Sequence, residues 1–215
     1  MPLLDLFLSG GVVMWPLLLS SLAVTVLILE RGYFWIKIYQ HQDIFIRQIL
    51  GLYGTQPKEA IARLRQHLHF PIARIFLAAL TLEQSTPDDF RLALESAAQA
   101  ELPTLKRFNT LFDTVIGTAP LLGLLGTILG LMRSFAALRI GQTTSQSASS
   151  VTAGIGTALI STATGLVIAI ATLLFANLFI GLYRRQRAAI EFYCGQLELL
   201  YRQYYRQYMA RAPRQ

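Results

Sequence analysis

Hydroxyl side chains are the polar groups best placed for chemistry in this sequence. They lie in a long uncharged run, and Thr157, Ser161 and Thr164 recur at the spacing that puts side chains on one face of a helix. Such hydroxyls either bond to their own backbone or line a water-filled path, and both roles stay open. The hydroxyl residues of this run are Thr152, Thr157, Ser161, Thr162 and Thr164.

Titratable side chains are missing from the same run. No Asp, Glu, Lys, Arg or His lies between Arg139 and Arg184. A membrane protein that carries ions on its own titrating group normally shows that group within the membrane. If this chain conducts protons, we therefore expect another chain to supply the carboxylate.

The sequence gives no support for enzyme chemistry. The sequence has no lysine-containing phosphate loop, no Gly-x-Ser-x-Gly elbow and no His-Glu-x-x-His pair. His67 and His69 do not share a helix face, so we interpret them as surface residues rather than metal ligands. Cys194 is the one cysteine, which excludes an intrachain disulfide and favours packing over a nucleophilic role. We expect no enzyme activity, no metal and no cofactor.

The composition indicates a membrane protein. The chain of 215 residues is 53% hydrophobic and 14% charged, whereas soluble domains carry about 25% charged residues. Its uncharged stretches are long enough to cross a hydrocarbon core of about 30 Å. The alternative is that these stretches are core helices of a large soluble protein. The chain has too few charged residues to form a polar surface over three such helices. The stretches are 6–29, read as a retained helix rather than a signal peptide, then 114–132 and 140–183, apolar from 151 to 182.

Basic residues predict the orientation. They concentrate in 31–107 and in the tail 183–215, with Arg133 and Arg139 at the connection 133–150. The positive-inside rule places the first two regions in the cytoplasm and the N-terminus and the connection outside. This orientation, with some attraction to anionic membrane lipids, accounts for the net charge of +7, so no nucleic acid partner is expected.

Helix-start patterns predict an ordered cytoplasmic region. Thr86, followed by a proline and two aspartates, predicts a helix start, and the helix must kink or restart at Pro103. Another helix is predicted to begin at Pro57 and to end before Pro71, and a third covers 72–82.

The tail carries a seam of apolar and aromatic side chains, spaced alternately four and three residues apart. Either this helix packs on its own chain, or the tails of several copies associate; both interpretations stay open. The seam consists of Ile190, Cys194, Leu197, Tyr201, Tyr204 and Tyr208.

Small residues in the second and third uncharged stretches predict close helix packing, because they let two backbones approach. Two such runs in one chain indicate an oligomer or a tight bundle. The candidate helix-packing residues are Gly117, Pro120, Gly123, Gly126, Gly130, Gly154 and Gly165.

Three stretches carry a family resemblance. The most specific is Thr118-Ala119-Pro120-Leu121-Leu122-Gly123-Leu124-Leu125-Gly126-Thr127; the others begin at Gly11 and Gly154. With them the chain resembles the ExbB/TolQ/MotA proton-channel family, over about half of its length. It is most similar to the three-span ExbB and TolQ members, since the MotA branch has four spans.

The resemblance implies a subunit of an ion-driven membrane motor. Family members form a pentamer around the membrane helices of an ExbD- or TolR-like partner, each of which carries an aspartate. Force reaches the outer membrane through a TonB- or TolA-like protein. Thr118 and Thr162 stand where family threonines face that aspartate. Thr157 completes the implied ion pathway, at a position where ExbB and TolQ members usually have a glutamate, and Ala171 replaces a usual proline.

We therefore expect an all-α integral membrane protein with three transmembrane helices and an extended cytoplasmic helical bundle, assembling as a ring in a bacterial inner membrane. The alternative is a non-conducting scaffold with the same ring architecture. Three points stay open: whether the role is that of ExbB or of TolQ, which cargo is served, and whether the ion is a proton or sodium. The predicted segments are the N-terminal segment with the first transmembrane helix (1–36), the cytoplasmic helical region (37–107), the second transmembrane helix (108–139), a short periplasmic loop (140–150), the third transmembrane helix (151–183) and the cytoplasmic C-terminal helix (184–215).

Overall fold

The computed structural model describes residues 7, 9–82, 85–137 and 145–211, with side chains except at 137, 145–150 and 208–211. Within these ranges every regular element is an α-helix, which confirms the predicted all-α class. The start of the predicted loop 140–150 and the side chain of Tyr208 lie outside the described residues. The helices are α1 (Met14–Tyr53), α2 (Pro57–Gln66), α3 (Pro71–Leu80), α4 (Pro87–Leu105), α5 (Asn109–Ala137) and α6 (Ser145–Arg211).

Three helical stretches of the described chain are long and apolar enough to cross a membrane: Met14–Tyr53, Pro87–Ala136 and Val151–Gln207. They contain residues 14–29 of the first uncharged stretch, all of the second (114–132) and residues 151–183 of the third. Helices α1 and α6 run well beyond the segments predicted to cross the membrane, so the exact membrane boundaries stay predictions. The chain divides into unit 1, which comprises Met1–Arg31 and Phe108–Phe179, and unit 2, which comprises Gly32–Arg107 and Ile180–Gln215.

The core of unit 1 contains both large and small side chains. Leu17 of α1 is fully buried and belongs to a cluster with Ala119 of α5 and Ala169 of α6. Phe112 packs against Phe179, with ring centroids 5.8 Å apart. Many large apolar side chains on the outside of the unit are exposed, which suits contact with lipid tails.

In unit 2, α4 begins with the cap that the sequence predicts. The Asp89 backbone N–H donates to the Thr86 hydroxyl (3.2 Å), and the Asp89 carboxylate accepts from the Thr86 backbone N–H (3.1 Å). Bonds to the Thr86 side chain and backbone lower the pKa of Asp89. The helix runs through Pro103 to Leu105, so it does not restart at the proline. Pro103 lies in the last turn, where little of the helix remains to be disrupted.

Helix α2 begins at Pro57, as the sequence predicts, and α3 begins at Pro71, one residue before the predicted start at 72. Proline suits a first turn because the missing N–H has no intrahelical partner there. Arg74 of α3 holds Glu101 of α4 through two bonds of 2.6 Å, from Nε to Oε1 and from Nη2 to Oε2. The bond to Glu101 raises the pKa of Arg74.

The tail seam packs on its own chain. Ile190 and Leu197 are 1% and 0% exposed. The Tyr201 ring stacks on Phe90 with centroids 4.0 Å apart, and its hydroxyl donates to the Ser85 carbonyl (2.7 Å). Tyr204, in contrast, is 52% exposed. Ile190, Leu197 and Tyr201 therefore pack within unit 2, which favours the interpretation that this helix packs on its own chain. Association of the tails of several copies stays a prediction.

Candidate functional site

Helices α5 and α6 approach each other at glycines. A Cβ atom at Gly123 would lie 2.9 Å from Thr162 Cα and 3.0 Å from the Ser161 carbonyl oxygen. A Cβ at Gly165 would lie 3.2 Å from Gly123 Cα and would also meet the Ala119 carbonyl. Because these neighbours are backbone atoms, they cannot turn aside as a flexible side chain can. Glycine at 123 and 165 is what permits this approach.

A second close approach lies towards the other end of this helix pair. A Cβ at Gly130 would be 2.8 Å from the Gly154 carbonyl oxygen, and one at Gly154 would be 2.9 Å from the Gly130 carbonyl oxygen. Gly126 faces the Ser161 side chain. The contact therefore extends over several turns. Its buried small residues on α5 are Ala119, Gly123, Gly126, Gly130 and Ser134.

Gly117 does not belong to this contact. It is exposed, and a Cβ there would meet nothing within 4 Å. Pro120 lies inside α5 and is half-buried. Both residues were predicted to pack from the local density of small residues, but the contact follows a narrower pattern. Steps of four, three, four and four residues connect Ala119 to Ser134, and Gly117 falls off that line.

Hydroxyls hydrogen-bond across the α5–α6 contact. The half-buried Thr162 donates to the Gly123 carbonyl (3.1 Å), and the buried Ser161 lies 3.4 Å from the same oxygen while donating to the Ala158 carbonyl (2.9 Å). Ser134 donates to the Gly130 carbonyl (3.0 Å) and lies 3.4 Å from the Val151 carbonyl. Sequence reasoning missed Ser134 as a packing residue; its place on the small-residue line of α5 is the signal that identifies it.

The other predicted hydroxyls bond within their own helices. Thr118 donates to the Thr114 carbonyl (2.8 Å), and Thr157 donates to the Ala153 carbonyl (3.1 Å). Thr118 is exposed on α5, and Thr157 is half-buried with its methyl group near Gly11. Of the three predicted ion-pathway residues, Thr162 alone is seen bonding to the neighbouring helix.

The chemistry open to this site is that of hydroxyls in uncharged surroundings. A hydroxyl that donates to a carbonyl keeps lone pairs that accept from water or from a protonated carboxyl group. To stabilise a carboxylate instead, it must rotate and donate, and so release the backbone carbonyl. Among the described residues, no group of three or more His, Cys, Asp or Glu side chains is arranged to hold a metal ion.

Sequence comparison identifies the family. Residues 67–191 match the profile of the MotA/TolQ/ExbB proton channel family. The chain belongs to this family. The matched range contains all three predicted ion-pathway threonines and the entire α5–α6 contact, whereas the first span lies outside it.

Two relatives from one organism match this chain over most of its length, and a third matches it over less than half. The chain is 58% identical to ExbB-like 3 of Synechocystis sp., over 93% of this chain and 95% of that protein. It is 40% identical to ExbB-like 1 of the same organism, over 94% and 80%. It is 38% identical to the biopolymer transport protein ExbB of Salmonella typhimurium, over 44% and 38%. These relatives confirm the resemblance to ExbB.

Proposed function

We propose that this chain is the ExbB/TolQ-like subunit of an ion-driven motor in a bacterial inner membrane. Copies of the chain form a ring, a pentamer as in the family, around the membrane helices of an ExbD/TolR-like partner. A TonB/TolA-like protein carries the force onwards to outer-membrane transport or envelope maintenance. The N-terminus is periplasmic and the C-terminus cytoplasmic. Family membership and the three apolar helices support this proposal.

One observation carries the ion-driven part of the proposal: an exposed hydroxyl stands in a span that has no charge. Thr118 is exposed on α5, within the uncharged stretch 114–132. An ion-driven cycle needs a group that changes charge inside the membrane, and such groups normally face a protein interior or a water-filled path. In this complex the aspartate of the partner is that group, and Thr118 is free of covering side chains to meet it.

The hydroxyls serve both protonation states of that aspartate. In the arrangement described above, Thr118 and Thr162 donate to backbone carbonyls and present lone pairs to a protonated carboxyl. Rotation about χ1 reverses the polarity, so that the hydroxyl donates to the carboxylate. A site that binds and releases a proton requires both arrangements at similar free energy.

Thr157 leaves this chain without a titratable group in its third span. ExbB and TolQ members usually carry a glutamate there, and a threonine does not ionise. Ion transfer then depends on the partner aspartate. The driving force is about 2.3 kcal/mol per charge for each 100 mV, so a poorly solvated carboxylate would stall the cycle.

The test is ion flux through the complex of this chain with the ExbD/TolR-like protein of the same genome, reconstituted in vesicles, with proton and sodium gradients measured separately. Thr118→Val and Thr162→Val remove the hydroxyl at nearly constant volume, and each should abolish flux without preventing assembly. The lost hydrogen bond to a charged group is worth about 1.5–3 kcal/mol. Thr118→Ser and Thr162→Ser are the matched controls and should retain most of the flux. Thr157→Val should be milder.

Full flux in both valine variants would rule out the threonine mechanism. An assembled parent complex that passes no ions would favour the non-conducting scaffold, which is the second candidate function because the uncharged stretches of this chain hold no carboxylate or histidine. Native mass spectrometry that finds only monomers would exclude both ring functions.

A further inference from the structure

A cavity of about 450 Å³ lies in unit 2, between α1 and the corner that joins α2 to α3. Its volume falls within the range of about 300–1,000 Å³ that is usual for small-molecule sites. Polar and aromatic side chains of both elements line it. They include Lys37, His41 and Phe45 from α1, and His67, His69 and Phe70 from the corner.

Aromatic rings form one wall of this cavity. The ring centroids of His69 and Phe70 are 4.1 Å apart, and those of Phe45 and His67 are 4.5 Å apart. His67 Nδ1 lies 3.0 Å from the Arg63 carbonyl oxygen. Because a carbonyl only accepts, Nδ1 carries the proton, and Nε2 is left for another partner.

The titratable side chains that line the cavity are all basic. Lys37 and three histidines line it, and no lining side chain is a carboxylate. Arg74 of α3 stands nearby, but Glu101 of α4 already binds its guanidinium. Loss of water, followed by repulsion from Lys37 and the neighbouring basic side chains, lowers the pKa of His69. Basic groups that repel one another around an open space are neutralised best by an anion.

We propose that this cavity binds an oxyanion, the phosphate group of a ligand whose apolar part contacts the phenylalanine rings. Lys37 supplies the permanent positive charge, and the histidines donate hydrogen bonds once they are protonated. The phosphate can belong to a soluble ester or to a lipid headgroup, because Lys37 follows soon after the uncharged stretch that ends at Leu29. The proposal does not depend on ion flux through the spans.

Histidine NMR tests this directly, because the three histidines of the chain all line the cavity. The full chain, labelled at histidine and held in phosphatidylcholine nanodiscs, is titrated with sodium sulfate and, separately, with inorganic phosphate. Sodium chloride at equal ionic strength is the control. We expect saturable shifts of the imidazole signals with sulfate and phosphate but not with chloride.

The affinity of the cavity for an anion should change with pH in a definite direction. A bound anion favours the imidazolium form of His69, whose pKa is lowered in the free protein, so binding takes up a proton. Affinity should therefore rise as pH falls from 8 to 6, by about tenfold for each unit of raised pKa. Sulfate is the probe for this arm, since its own charge is constant over that range.

Variants separate the cavity from general surface charge. Lys37→Gln should weaken sulfate binding about tenfold, a change of about 1.4 kcal/mol, whereas Lys58→Gln, an exposed lysine of α2 outside the cavity, should not. A further arm replaces part of the phosphatidylcholine by phosphatidylglycerol without added salt. Histidine shifts in that arm assign the site to a lipid headgroup, and shifts with free anions alone assign it to a soluble ligand. Equal responses to chloride and sulfate, equal effects of the two lysine variants, or no shift in any arm would overturn the proposal.

Discussion

The α5–α6 contact of unit 1 and the core of unit 2 bury different kinds of side chain. In unit 1 the contact between α5 and α6 is built from small and hydroxyl residues such as Ala119, Gly123 and Ser161. In unit 2 the fully buried positions include Phe76 and Phe90. Lipid tails are as apolar as leucine, so burying a large side chain inside a membrane gains little, and close backbone approach holds the helices instead. In water, burial of large apolar surface dominates.

The polar contacts between helices also differ between the two units. Unit 1 joins its helices by hydroxyl-to-carbonyl bonds, such as that from Thr162 to Gly123. Unit 2 joins its helices by ion pairs, such as those of Arg74 with Glu101 and of Arg202 with Asp88. Ion pairs inside a membrane would carry a large desolvation cost. Residue size therefore predicts the helix contacts of unit 1, whereas hydrophobicity and charge predict those of unit 2.

The largest effect is expected from a substitution that creates a new cavity in the core of unit 2. Leu94 is 2% exposed and Leu92 is 65% exposed, both on α4. Leu94→Ala should lower the free energy of unfolding by about 2–5 kcal/mol. The matched change Leu92→Ala should stay within about 0.5 kcal/mol. Denaturant unfolding in mild detergent, followed by circular dichroism, measures both. Equal losses would mean that α4 does not present these faces as described.

A single methyl group should disrupt unit 1. Gly123→Ala places a Cβ 2.9 Å from Thr162 Cα and should cost about 1–3 kcal/mol by overpacking, with Gly123→Leu worse. Gly117→Ala on the same helix meets nothing within 4 Å and is the control. Thermal unfolding and size-exclusion profiles in detergent compare them. If Gly117→Ala were the more damaging variant, the tight contact in the assembled protein would lie on the other face of α5.

Removing one ion-pair partner should have a smaller effect. Glu101→Gln takes the charge from the partly buried pair with Arg74 and should cost about 1 kcal/mol, since partial exposure screens the interaction. The exposed pair of Arg91 with Glu95 on the same helix supplies the control Glu95→Gln, expected to cost less than about 0.5 kcal/mol. Identical unfolding midpoints for the two variants would show that the first pair contributes no more than a surface pair.

The smallest effect is expected at the cap of α4. The folded-state pKa of Asp89 is lowered from its ordinary value of 3.8, so its contribution is present above that value and is lost as pH falls through the lowered folded pKa. Asp89→Asn should remove this part of the acid sensitivity. Unfolding curves of parent and variant at pH 5 and at successively lower pH should therefore converge. Curves that stay parallel would contradict the role of the carboxylate.

Local features could be predicted from the sequence, and orientation around a helix could not. The helix starts at Pro57 and Thr86 follow from the geometry of the first turn alone, so they were predicted correctly, and the start of α3 was predicted within one residue. Gly117 and Gly123 look alike in composition, but only the rotation of α5 against α6 decides which of them meets a backbone. The same run of small residues therefore contains positions inside the α5–α6 contact and positions outside it.

Contacts between distant parts of the chain were also beyond prediction. His67 and His69 were interpreted as surface residues because neighbouring positions offered no ligand geometry. Their cavity exists because α1 brings Lys37 and His41 beside the corner of α2 and α3. The tail seam was left open for a related reason: spacing identifies a face that packs, but the partner surface on α4 is set by the tertiary fold.

Cys194 bears on how movement in this protein can be measured. The thiol is half-buried, and burial raises its pKa to about 12, so at neutral pH it holds its proton and reacts slowly with thiol-directed reagents. It is also the one native cysteine. A spin or fluorescent label will therefore prefer a cysteine introduced at an exposed position such as Leu199, and labelling experiments can begin without first replacing the native residue.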